Sequence, residues 1–122
     1  MTAHILTVDD SASIRLTTRI ALTNAGYQVT EAVDGVDGLN KAKTGQYDLI
    51  VTDLNMPNMN GLQMIEALRQ SPAQMGVPIL FLTTESDSDM KARAKAAGAT
   101  GWITKPFDPE SLVKITRKVL GK

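Results

Sequence analysis

The chain contains no cysteine, which excludes both a disulfide framework and a thiolate metal site. Its single histidine, His4, has no second imidazole with which to complete a metal site, and it reads as a strand-start or surface residue. Thirteen Lys and Arg side chains cancel thirteen Asp and Glu, so no overall field draws the chain to nucleic acid or to an anionic membrane. No apolar run approaches the ~20 residues of a membrane span. The start, Met1-Thr2-Ala3-His4, enters a strand pattern at once, without the charged segment and apolar stretch of a signal peptide. Linkers, low-complexity stretches and internal repeats are also missing. What remains is 122 residues expected to form one domain over 1–122, long enough to bury roughly two-thirds of its unfolded surface. The corresponding expectation is a cytoplasmic protein with no nucleic-acid partner and no membrane insertion.

Strand-like and helix-like segments alternate through five units. His4-Ile5-Leu6-Thr7-Val8 reads as a strand, and Ser11 to Ala25 as a helix with Ile14, Ala21, Leu22 and Ala25 at helical spacing. Gly26 suits the left-handed stop that follows. Tyr27 to Ala32 is a second strand, and Asp34 caps a short helix ending at Gly45. Tyr47 to Thr52 runs into Asp53, after which Leu54-Asn55-Met56-Pro57-Asn58-Met59-Asn60-Gly61 forms a proline- and glycine-constrained loop. Asn60 is the expected cap of a helix carrying Leu62, Ile65, Ala67 and Leu68. Pro78 opens a fourth strand, and Ser86 with Asp89 resembles a capping pair for a helix closing at Gly98. After the fifth strand, Asp108-Pro109 is a cap with proline at the first helical position, and Leu112, Ile115, Thr116 and Val119 give a buried stripe. Such alternation predicts an α/β domain: a five-stranded parallel sheet with helices on both faces.

Four of these strands end in residues suited to phosphoryl transfer: Asp9-Asp10, Asp53, Thr83-Thr84 and Lys105-Pro106. In an open parallel sheet, ligands bind outside the carboxyl ends of the strands, so three carboxylates, a hydroxyl and an ammonium are expected to meet there. Any one aspartate reads as a helix or strand cap. Two adjacent ones repel, at roughly 4 kcal/mol for charges 4 Å apart at an effective dielectric of 20, and Asp53 adds to the repulsion. Hard oxygen ligands without histidine or cysteine point to Mg²⁺. The loop after Asp53 is expected to leave its carboxylate at the sheet's edge, facing outward, and a carboxylate can accept a phosphoryl group as an aspartyl-phosphate. Lys105 alone reads as a solvated lysine; beside three acids it becomes a counter-ion able to hold phosphoryl oxygens. Pro106 favours a special turn that would aim Lys105 inward. Trp102 fits an ordinary partly buried aromatic and a switching role equally well. The methionines, among them Met56, Met59 and Met64, read as gap fillers.

Taken in order, Asp9-Asp10, Asp53, Thr83 and Lys105-Pro106-Phe107 resemble the receiver domain of two-component response regulators. The stretch from Asp53 to Gly61 is most similar to the chemotaxis regulators of that family. The resemblance spans essentially the whole chain and implies a doubly wound, flavodoxin-like fold with strand order 2-1-3-4-5. It implies that Asp53 takes a phosphoryl group from the phosphohistidine of a histidine kinase. Asp10 and Asp53 would ligate Mg²⁺ directly, Asp9 through water, and Asn55 through its backbone carbonyl. Lys105 and Thr83 would grip the phosphoryl oxygens. Inward movement of Thr83 would let Trp102 turn in and reshape the face of the fourth helix, fifth strand and fifth helix, where a downstream protein such as the flagellar motor switch docks.

Three positions depart from the family's habit. The switch aromatic is Trp102 where tyrosine or phenylalanine is commoner, and Thr84 stands where alanine is common. The fourth helix begins Ser86-Asp87-Ser88-Asp89 where flagellar-switch binders often carry lysines. Asn55 and Glu85 would flank the path of a water attacking the acyl-phosphate, with Thr84 narrowing it, so these three are expected to set its lifetime. The sequence stops after the fifth helix, from which a stand-alone receiver without an output domain is expected, a signalling protein whose only catalysis is its own modification. A phosphorelay intermediate is the nearest alternative. An aspartyl-phosphate phosphatase would want an Asp-x-Asp pair after the first strand. A flavin-binding relative would want a glycine- or hydroxyl-rich phosphate cradle where Asp9-Asp10 stand.

Overall fold

The structure, a computed structural model, describes residues 2–54, 56, 59–70, 77–83, 88–105 and 107–121, with 88–91 in backbone only. Asn55, Thr84, Glu85 and Pro106 lie outside the described residues, as does Ser86 of the expected capping pair, whose partner Asp89 is described in backbone only. Ten elements alternate: β1 (His4–Val8), α1 (Ala12–Asn24), β2 (Gln28–Ala32), α2 (Gly35–Thr44), β3 (Leu49–Asp53), α3 (Gly61–Leu68), β4 (Ile79–Thr83), α4 (Ser88–Ala96), β5 (Gly101–Thr104) and α5 (Pro109–Leu120). All pairings are parallel, in the order β2-β1-β3-β4-β5, which is the expected flavodoxin-like arrangement.

Every residue of the inner strands β3 and β4 is buried, as sheets covered on both faces require. Period-two alternation sorts their side chains between two cores. Ile5, Leu49, Val51, Leu80, Leu82 and Ile103 face α1 and α5, packing on Leu22 and Leu112. Leu6, Val8, Ile50, Ile79 and Phe81 face the other side, against Leu39 of α2, Leu62, Ile65 and Leu68 of α3, and Ala94 of α4. Met64 is fully buried, and Met56 and Met59 pack on the same core, so three of the expected gap fillers do that work.

The helix ends follow local chemistry. Ser11, Asp34, Asn60 and Asp108 each accept a backbone N–H from the first turn of their helix. Gly26 takes φ 97°, the left-handed stop expected there. The full capping box is on α3, where Asn60 and Gln63 bond reciprocally. Tyr27, Tyr47 and Asp48, read from the sequence as strand residues, lie just before β2 and β3. The Tyr27 N–H is spent on the Leu22 carbonyl at the end of α1, 3.1 Å away. Asp48 bonds the His4 backbone twice, its N–H donating to the carbonyl and its carboxylate accepting the N–H, each at 2.8 Å.

Candidate functional site: an acidic cleft at the carboxyl ends of the strands

The chain leaves β1 to one side for β2 and returns to its other side with β3, so the sheet order reverses between β1 and β3. Side chains after those strands diverge around an open crevice. Asp9 and Asp10 follow β1 and Asp53 ends β3; one carboxylate oxygen from each lies within 4.8 Å of the others. All three aspartates expected to form the site therefore meet.

Their surroundings differ. Asp9 is 3% exposed and Asp53 7%, whereas Asp10 is exposed. The outward-facing Asp53 carboxylate expected from the sequence is thus a buried one. The reason is the start of α3: the Gly61 N–H donates to the Leu54 carbonyl at 2.9 Å, drawing the helix over the end of β3. A Cβ at Gly61 would collide with the Asp53 carbonyl oxygen and come to 2.9 Å from the Phe81 ring. Glycine is what permits that approach.

Lys105 reaches inward as expected. Its Nζ lies 3.2 Å from Asp9 Oδ2 and 3.3 Å from Asp53 Oδ1, with the side chain 14% exposed. The strand ladder sets this reach, because the Lys105 N–H donates to the Thr83 carbonyl at 2.8 Å. Thr83 is buried at the end of β4, next to Leu82, the residue in register with Asp53. Trp102 is in register with Phe81 and packs, half-buried, on the core beneath α2, α3 and α4.

Arg15 did not stand out in the sequence. Its Nη1 donates to the Asp9 carbonyl at 2.6 Å, and its Nε faces Glu31 of β2 at 3.8 Å. The available signal was a cation one helical turn past the Ser11 cap, and so beside the acidic pair. Away from the cleft, at the far end of α3, partial burial lowers the pKa of the Arg69 guanidinium, which donates to the Gly98 carbonyl at 3.0 Å.

Three acids against one ammonium form a cation-seeking, phosphate-compatible cleft with hard ligands only. Comparison with known proteins agrees. Residues 5–117 match the model of the response regulator receiver domain. The chain is 39% identical over 117 residues to the response regulator ArlR of Staphylococcus aureus, which covers 96% of this chain but 52% of that protein. It therefore spans about half the length of that curated relative. Among solved structures, the chemotaxis protein CheY4 of Vibrio cholerae superposes with a TM-score of 0.94 at 45% identity, covering 98% of this chain and all (100%) of the other. The receiver domain of the sensor histidine kinase PA1611 of Pseudomonas aeruginosa, solved with magnesium coordinated in its active-site cleft, superposes with a TM-score of 0.91 at 26% identity over 100% of both chains. With the family matched from β1 to α5 and the fold reproduced strand for strand, the chain belongs to the receiver domains of two-component response regulators.

Proposed function

We propose that Asp53 accepts a phosphoryl group from the phosphohistidine of a histidine kinase, and that the modified domain changes which protein it binds. The observation that carries this reading is the Lys105 ammonium held between the Asp9 and Asp53 carboxylates at the sheet's switch point. In the transfer, an Asp53 carboxylate oxygen forms the P–O bond as the donor's P–N bond breaks, and the imidazole nitrogen keeps the electron pair. Lys105, already 3.3 Å from Asp53 Oδ1, would hold a phosphoryl oxygen, and Thr83 is the hydroxyl nearest along β4 to receive another.

The donor set suits Mg²⁺, with hard carboxylates clustered within 4.8 Å and one of them, Asp10, exposed. Asp9, Asp10 and Asp53, with the Asn55 carbonyl, would hold the ion. Bound there, it would supply positive charge that offsets the phosphoryl oxygens and the three acids.

The output we assign to the face of α4, β5 and α5, in chemotaxis signalling, with the flagellar motor switch as the candidate partner. Support comes from the 45% identity to CheY4 across that whole protein, and from Arg93 and Lys95, exposed in the last turn of α4. Asn55, Thr84 and Glu85 would tune the lifetime of the phosphorylated state.

The test uses a small acyl-phosphate donor with Mg²⁺. Intact mass should rise by one phosphoryl group, labile to base and hydroxylamine, and Asp53→Asn should abolish the gain. A base-stable label on Ser or Thr would sink the proposal.

A further inference from the structure

Arg15 lies four residues after the N-cap of α1, and its backbone N–H donates to the Ser11 carbonyl at 3.0 Å. Helical side chains lean toward the N-terminus, so its guanidinium extends back over the turn between β1 and α1. There Nη1 donates to the Asp9 carbonyl oxygen at 2.6 Å, a short charge-assisted bond. The Arg15 side chain is only 18% exposed. Its Nε faces Glu31 Oε1 at 3.8 Å, while Arg19 Nε faces Oε2 of the same carboxylate at 3.8 Å. Ion pairs this long and this exposed add little stability. Their consequence is orientation, and β2 is anchored as well, since Lys41 Nζ donates to the Glu31 backbone carbonyl at 2.6 Å.

With Arg15 in place, every polar group of Asp9 is engaged. Its N–H donates to the Ala32 carbonyl at 3.1 Å, and Oδ1 accepts from the Ser11 N–H at 2.9 Å. Oδ2 faces the Lys105 ammonium at 3.2 Å. Asp10 is the opposite case: it is exposed, and neither a hydrogen bond nor an ion pair joins it to any described residue. Its placement therefore depends on the two peptides that flank it, the Asp10–Ser11 peptide held through its N–H by Asp9 Oδ1 and the Asp9–Asp10 peptide held through its carbonyl by Arg15. The Asp9–Asp10 peptide is planar, so holding its carbonyl oxygen fixes the direction in which the Asp10 backbone leaves it.

We infer that Arg15 is a positioning residue for the cation site, clamping the Asp9–Asp10 peptide so that the Asp10 carboxylate faces those of Asp9 and Asp53. The inference rests on the reading of these acids as a Mg²⁺ site. Arg15 has two opposed effects on such a site, and the sign of the measured change separates them. As a nearby positive charge it repels a dication, so its removal would tighten binding. As a clamp it preorganises a ligand, so its removal weakens binding. Glu31 offsets the charge of Arg15 while helping to orient its guanidinium, so weakening is the expected result of removing Arg15.

The decisive measurement is calorimetric Mg²⁺ titration of the unphosphorylated chain. Arg15→Ala should lose roughly 10-fold in affinity, the low end of what a lost outer-shell partner costs. Arg15→Lys should recover part of that, having one donor for the carbonyl but no fork to engage Glu31 as well. Glu31→Gln should show a smaller loss, because it removes the charge that orients the guanidinium while Nη1 keeps its bond to the Asp9 carbonyl. Without metal, the Asp10 backbone amide resonance should move in Arg15→Ala while unfolding in EDTA stays cooperative. Unchanged or tighter Mg²⁺ binding by folded Arg15→Ala would overturn the clamp and leave the site standing. Wild-type protein that binds no Mg²⁺ would overturn the site itself. Should Arg15→Ala not fold, wild-type affinity in both Arg15→Lys and Glu31→Gln overturns the clamp.

Discussion

The cleft is built from side chains that are costly to leave together. Lys105 bridges Asp9 and Asp53 at 3.2 and 3.3 Å, so one ammonium faces two carboxylates and Asp10 adds a third, unpaired with it. Because Asp10 is exposed, its repulsion is that of charges in water, about 1 kcal/mol at 4 Å. Asp10→Asn should therefore raise the urea midpoint in EDTA, by no more than about 1 kcal/mol in stability. In saturating Mg²⁺ the order should reverse, because wild type gains binding free energy by mass action and the variant loses a ligand. Equal midpoints in EDTA would mean that solvent already screens Asp10 from the two buried acids. At this scale the kinds of residue were legible: acids after two strands and a lysine after another announce the chemistry without any coordinates. Their burial was not. Asp53 is covered because Gly61 lets α3 close over it, and Asp9 is gripped by Arg15, six residues away. Both are consequences of close approach, which residue identity alone does not specify.

Among the elements, α3 does most to shape the site. Its Asn60–Gln63 capping box and the Gly61–Leu54 bond hold its first turn against the end of β3. Asn60 was visible as a cap, whereas Gln63 reads as an ordinary exposed helix residue until its bond to the Asn60 N–H is seen. Strand and helix order was legible throughout, because inner-strand apolar runs and helical spacing are both periodic signals that survive in the sequence. Strand ends were less so: Tyr27 is a strand-favouring residue whose N–H goes to the end of α1, and Asp48 bonds the first residue of β1 without extending β3. Gly61→Ala tests how tightly α3 must sit. The added methyl group has no room between the Asp53 backbone and Phe81, so the helix must shift. The expected cost is about 1–3 kcal/mol, typical of overpacking, read as a lower urea midpoint, together with slower acyl-phosphate labelling at Asp53. A variant as stable and as quickly labelled as wild type would show that α3 can retreat without disturbing the acceptor.

For the molecule as a whole, the proposed phosphorylation of Asp53 would have to reach the proposed binding face. The β4–β5 ladder offers a short route: Thr83 pairs with Thr104, Phe81 with Trp102, and the Lys105 N–H bonds the Thr83 carbonyl at 2.8 Å. Lys105 thus touches the acids with its side chain and β4 with its backbone. Two residues before Thr104 in β5 is Trp102, half-buried on the core that includes Ala94 of α4. The family resemblance pairs Thr83 with Trp102, but the register that joins their strands could not be read from the sequence, since neither segment encodes it alone. Phosphorylation is a local change of charge, and it needs a two-state packing element to have a distant effect. On the proposed reading Trp102 would be that element and, as the only tryptophan, would report on itself. Acyl-phosphate with Mg²⁺ should change its emission beyond any change from Mg²⁺ alone. Thr83→Ala should still take the label on Asp53, because the acceptor and Lys105 remain, but most of the emission change should vanish. If labelled Thr83→Ala gives the full wild-type change, coupling bypasses Thr83, and the contacts of Lys105 with Asp9 and Asp53 become the place where the signal starts.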